Sequence, residues 1–265
     1  MFPRNPFTKA LFDARRSLAV WAIAITAVGS MYAAFWPSIQ TPQMQDALAA
    51  YPKGLLEAFN YDDLTSAAGY LASSVYGLLV PLLVAVFTIT AGTRAIAGDE
   101  EAGTLDLVLA HPVGRTRLAL HRFAALLLGV AVVTGLLCLA MIALSGPAQF
   151  DGVTAGEFGA ITVQLLLFGG FFGALAFAVG AATGRKGLTL GLSAAVAVLA
   201  YLANSVIPQV EGLSWARNLS PFHWYLGGEP LVNGVQISGA LLLLGTMAAL
   251  VAAGTWAFTR RDVTV

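Results

Sequence analysis

The sequence predicts an all-α membrane protein with six transmembrane helices, and three observations carry that expectation. Of 265 residues, 58% are hydrophobic and only 11% are charged, with a mean hydropathy of +0.77. Soluble domains carry about 25% charged residues, so this chain has too few to cover a surface facing water. The charges also leave six uncharged runs, 17–45, 64–93, 123–150, 158–184, 187–210 and 230–259. The shortest has 24 residues, and about 20 apolar residues cross a hydrocarbon core as a helix. Finally, the basic residues gather in alternate connections between the runs, as a multi-pass topology requires.

Composition removes several functions at once. The 14 basic and 14 acidic residues cancel, so no net field points to nucleic acid. Cys138 is the single cysteine and builds no internal disulfide. His111, His121 and His223 are too few and too scattered for a metal site, and no metal or catalytic residue is expected.

Residues 1–265 read as one transmembrane domain. Residues 1–16 come first, with Asn5-Pro6 suited to the N-cap and first position of a helix. Phe7, Leu11 and Phe12 set against Lys9, Asp13, Arg15 and Arg16 suggest an interfacial helix in the headgroup plane. A frayed terminus is the other reading. The first span is expected at 18–36; it exceeds the apolar core of a signal peptide and ends in bulky aromatics, so it reads as retained. The second span is expected at 70–96, kinked at Pro81. The third to sixth are expected at 119–144, 157–183, 188–207 and 237–258.

Orientation follows from the basic residues. Arg4, Lys9, Arg15, Arg16, Arg94, Arg115, Arg117, Arg122, Arg185, Lys186, Arg260 and Arg261 fall on one side, and only Lys53 and Arg217 on the other. By the positive-inside bias both termini are cytoplasmic. No Asp, Glu, Lys, Arg or His lies deep in a span, which argues against proton-coupled transport and intramembrane proteolysis. Tyr76, Thr88, Thr90, Tyr201 and Asn204 are candidates for lining a pathway, although such residues more often bond a neighbouring helix or their own backbone. The pairs Gly169/Gly173, Gly180/Gly184 and Gly187/Gly191 allow close helix approach, and packing inside one subunit is the preferred reading over dimerisation.

The connection between spans two and three is the most informative. Asp99, Glu100 and Glu101 suit the first turn of a helix, where carboxylates complement the dipole. Leu105, Val108 and Leu109 then share one apolar face, and Pro112 and Gly114 end the element before Arg115 and Arg117. The expectation is a short amphipathic helix over 99–110. The residues alone leave two readings open: a helix resting on lipid, or one docking in a groove of a cytoplasmic partner with its acids meeting basic residues there.

The run from Glu100 and Glu101 through Gly103, Thr104, Leu105, Asp106, Leu107, Leu109 and Pro112 to Arg115 resembles the coupling-helix signature of ABC-2-type permeases, the membrane subunits of bacterial ATP-binding-cassette exporters. Trp21 and the Tyr32 to Ile39 exit of the first span resemble the family's opening, and Leu219, Pro221, Phe222, Tyr225, Pro230, Asn233 and Gly234 resemble its last external loop. Asp106 departs from the glutamate expected there and keeps the charge.

The resemblance implies a subunit of the bacterial inner (plasma) membrane that pairs with a second permease, identical or related, and with cytoplasmic ABC ATPase subunits. It also implies an ATPase contact at Glu100, Glu101, Gly103, Thr104, Leu105 and Pro112, and short external helices over 208–235. The chain lacks a G-x-x-x-x-G-K-[ST] loop. It is therefore expected to hold no cofactor and to be no enzyme itself, with ATP and Mg bound by the partner. The implied activity is export of an amphiphilic drug, peptide or lipid. A non-transporting membrane scaffold or assembly factor is the alternative.

Overall fold

A computed structural model describes residues 5–41, 66–105, 114–210 and 212–261. The described residues form helices and connecting turns, and six helices are long and apolar enough to cross a membrane. Spans 1 to 6 occupy Pro6–Ala34, Ala67–Glu101, Arg115–Leu144, Ala155–Thr183, Lys186–Ser205 and Ile237–Arg260.

The first helix opens at the cap that the sequence offers, although the span itself is expected to begin only at residue 18. The Asn5 side chain accepts a hydrogen bond from Phe7 N at 3.2 Å, and Pro6 sits at a position whose amide has no helical partner to lose. The helix then runs 29 residues without a break, about 43 Å. The stretch expected to lie in the headgroup plane is instead continuous with the span and lengthens it, because nothing between Arg16 and Leu18 breaks helical geometry. Beyond it, Trp36 donates from Nε1 to Gln149 O at 3.2 Å, tying the exit of span 1 to the connection after span 3.

Span 2 is the irregular one. It comprises an α-turn at Ala67–Tyr70, a π-helical segment at Leu71–Val75, a turn, an α-helix at Leu79–Thr93, a second π-helical segment at Arg94–Gly98 and a last turn at Asp99–Glu101. The α-helix is interrupted not at Pro81, as expected, but earlier, at the turn over 76–78. Pro81 is the third residue of Leu79–Thr93, where its missing amide costs little. Gly77 lies in that turn, and a Cβ on it would collide with Ser73 O and lie 3.1 Å from Ala72 O.

Span 4 opens on a capping box, in which Thr154 N donates to Glu157 Oε2 at 2.5 Å. It ends at Gly184, which takes the left-handed conformation at φ +68. It is the most enclosed span and packs against spans 2, 3 and 6, while span 1 lies mainly on span 3. Glycine makes that enclosure possible. A Cβ on Gly169 would lie 2.7 Å from Val84, one on Gly173 2.7 Å from Leu126, and one on Gly180 3.3 Å from Ala97. The expectation of packing within the subunit therefore holds for these three. It fails for Gly187 and Gly191, which face open space.

Between spans 5 and 6 the chain forms short helices at Ile207–Gln209, Ser214–Leu219, Pro221–Leu226 and Pro230–Asn233. They are pinned to the bundle by aromatic contacts of Phe168 with Phe222 (4.8 Å) and Tyr225 (5.1 Å). Ser220 adds a bond from Oγ to Ala200 O at 2.6 Å.

A carboxylate cluster at the basic rim and a cleft at the opposite rim

Asp99, Glu100 and Glu101 form the last turn of span 2. The chain leaves the helix through a Schellman motif. Gly103, at φ +64, donates from its amide to Glu100 O at 3.0 Å, and Thr104 N donates to Asp99 O at 2.9 Å. The acids expected to open a helix over 99–110 instead close span 2, and helical structure begins anew only at Leu105. The left-handed residue between Glu101 and Leu105 stops helical hydrogen bonding, so Gly103 is a helix terminator. Residues 106–110, with Val108 and Leu109, and Pro112 lie outside the described residues.

Three carboxylates at a helix C-terminus oppose the dipole, at about 0.3–1 kcal/mol each. Each is compensated by another span. Asp99 Oδ2 lies 2.6 Å from Arg122 Nη2 of span 3, whose other terminal nitrogen donates to Ala95 O at 2.5 Å. Glu100, with a side chain 4% exposed, receives both terminal nitrogens of Arg261 at 2.8 and 2.5 Å. Glu101 Oε1 accepts from Lys186 N at 2.8 Å, at the positive end of span 5. Arg115 Nη1 donates to Arg261 O at 2.6 Å and closes the set. The acids expected to meet basic residues of a partner are thus largely engaged inside the chain.

Leu105, expected on a face entering a partner's groove, is instead 1% exposed within this chain's own core. Glu101, Gly103 and Thr104 are exposed, and Arg115 is half-buried.

At the opposite rim a cleft of about 580 Å³ opens between the start of span 2, the end of span 5 and the short helices after it. Ser73, Asn204, Ser205, Gln209, Ser214 and His223 supply uncharged polar groups among small and aliphatic residues, and Arg217 and Glu229 supply one charge of each sign. Burial, and secondarily the Arg217 charge, lower the His223 pKa below the ordinary imidazole value, favouring the neutral ring.

Of the five pathway candidates only Asn204 lines this cleft. Thr88 and Thr90 bond back to Ala85 O (3.1 Å) and Phe87 O (2.8 Å), Tyr76 is fully buried, and the Tyr201 ring packs on Phe222 at 5.5 Å. Sequence reasoning did not single out Ser73, His223, Gly184, Arg122 or Arg261 as site residues. Arg217 carried a signal, as one of two basic residues on its side. Arg261 carried none, because its partner is 161 positions away.

Among the described residues no three His, Cys, Asp or Glu side chains come together as a metal site. A family model described as ABC-2 family transporter protein matches residues 7–263. The Probable ABC transporter permease protein NosY of Pseudomonas aeruginosa is similar at 31% identity over 169 residues, covering 61% of this chain and 61% of that protein, less than two thirds of its length. The protein of the same name from Stutzerimonas stutzeri is similar at 32% identity over 197 residues, covering 67% of this chain and 70% of that protein.

Proposed function

This chain belongs to the ABC-2 family of transporter proteins, and from that premise we propose that it forms the translocation pathway of an ATP-driven exporter as one of two permeases, identical or related. It is a permease subunit and a multi-pass protein of the bacterial inner membrane. ATP and Mg bind the cytoplasmic ATPase subunits with which it works. Both termini and the Asp99–Glu101 rim face the cytoplasm, in keeping with the 12 of 14 basic residues on that side. The cargo is an amphiphile, a class suited to a cleft that mixes amides, hydroxyls, an imidazole, one guanidinium and one carboxylate with aliphatic walls.

The observation that carries this reading is the acidic end of span 2. Span 2, at 35 residues, exceeds the ~20 that cross a ~30 Å hydrocarbon core as a helix. It ends at the basic rim in a turn hydrogen-bonded or ion-paired to spans 3, 5 and 6. ATPase closure against the segment that follows moves this end, and the bundle transmits the displacement to the cleft at the other rim.

The test is to purify the tagged chain from its native membrane, identify any ATPase that accompanies it, and reconstitute the complex. A fluorescent lipophilic cation and a fluorescent phospholipid serve as probes. ATP-dependent movement away from the ATPase side is expected. Active transport by the chain alone overturns the partner requirement, and movement toward the ATPase side overturns export. Leu109→Asp is the docking variant of choice, because Leu105 is buried and its substitution also disturbs the fold.

A further inference from the structure

We infer that Arg261, seated on Gly184, is the positioning residue of the coupling segment, holding Glu100 and the turn after it in one pose before any ATPase docks. The inference rests on the permease reading above. Four features of the structure lead to it.

The Glu100 carboxylate is nearly sealed from solvent, and the two-point fork of Arg261 meets it edge to edge at 2.8 and 2.5 Å. A planar guanidinium fixes the orientation of a carboxylate in a way that a lysine ammonium does not. Glu100 is also the residue whose carbonyl accepts the Gly103 amide in the Schellman turn. Orienting it therefore orients the start of the segment that leaves the helix.

Gly184 is the floor of this pair. A Cβ there would lie 2.6 Å from the Glu100 carboxyl carbon and closer still to Arg261 Nη1. The residue is also held at φ +68, which disfavours any side chain. One glycine thus ends span 4 and leaves room for the ion pair. The Arg261 main chain is fastened in turn, since its carbonyl accepts from Arg115 of span 3 at 2.6 Å.

Span 6 is consequently locked to span 2 at the turn that leads into the coupling segment. A segment fixed in its bound pose loses less conformational freedom on docking and binds more tightly. Arg260, next in the chain, is exposed and lies over the Trp256 ring instead. It is an internal control for a cation that merely faces headgroups.

The experiment uses the full chain in nanodiscs with the ATPase that co-purifies with it. In a Cys138→Ser background, spin labels at Ala102→Cys and Thr259→Cys, both exposed, report the distance between the coupling turn and the end of span 6, and affinities are taken on the unlabelled chains. ATPase affinity is measured by titration. The distance distribution is expected to be narrow in the parent chain and broad in Arg261→Lys and Gly184→Ala. Both variants are expected to bind ATPase about tenfold or more weakly while their melting temperatures show them folded. The exchange Glu100→Arg with Arg261→Glu restores the narrow distribution, and Arg260→Gln changes neither readout.

Parent-like distances and affinity in both Arg261→Lys and Gly184→Ala overturn the inference, as does an equal loss in Arg260→Gln. If the labels behave as expected but no ATPase accompanies the parent chain, the permease reading fails instead, and the coupling role fails with it.

Discussion

The crossing of spans 2 and 4 provides a sharp energetic test at Gly92. A Cβ built on this residue collides with Gly173 O and lies 3.0 Å from Ala176 Cβ and 3.1 Å from Phe177 N. Two of these three atoms belong to main chain inside a helix, so no rotamer change relieves the contact and the helices must separate. Overpacking costs typically 1–3 kcal/mol, and a main-chain clash belongs at the upper end, about 3 kcal/mol. Alanine recovers about 1 kcal/mol of helix propensity over glycine. The net expectation for Gly92→Ala is a loss of about 2 kcal/mol, or roughly thirtyfold in the unfolding equilibrium. Gly191→Ala is the matched control, because nothing lies within 4 Å of a Cβ there; it retains only the propensity gain. Unfolding from mixed micelles by sodium dodecyl sulfate, followed through tryptophan fluorescence, measures both. If Gly92→Ala unfolds at the same detergent fraction as the parent, or Gly191→Ala falls with it, the assignment of Gly92 to a backbone-limited crossing is wrong.

Two further outcomes are expected at the opposite rim. Ser220→Ala removes the bond to Ala200 O and the cap accepted from Phe222 N at 3.1 Å; in this buried setting a loss of about 1–3 kcal/mol is expected, with faster proteolysis of the segment around Trp215 as the readout. The His223 pKa lies below the ordinary value of about 6.5, chiefly through burial and then through Arg217. Because the folded state binds this proton less readily than the unfolded chain, the stabilising contribution is present above about pH 6.5 and is lost as pH falls through the folded-state value. Arg217→Gln raises the His223 pKa part of the way back, which imidazole resonances in a pH titration resolve; an unchanged or lower value contradicts the stated cause.

The residue types explain which parts of this protein were legible in one dimension. Spans are summed from local composition, so the uncharged runs located all six to within a few residues, apart from the N-terminal extension of span 1. Local caps were legible for the same reason: Asn5 and Pro6 act within one turn of where they stand. The coupling segment was legible as a motif and misread as a geometry. A triad of acids before an apolar residue suits a helix N-terminus as well as a C-terminus held by outside cations, and only the left-handed Gly103 distinguishes them. The threonines proposed for a pathway show a related limit, since a hydroxyl that bonds its own backbone has the same sequence signature as one that faces a cleft.

The sequence by itself determined that the chain crosses a membrane, how many times, and roughly where along the chain each crossing lies, because desolvating charge in hydrocarbon is costly wherever the helix packs. Tertiary structure alone decided that Glu100 meets Arg261, that Gly184 makes room for them, that Leu105 turns inward, and that Asn204 reaches the cleft while Tyr76 does not. These are contacts between helices distant along the chain, and short-range electrostatics and close packing depend on ångström separations that no local pattern encodes.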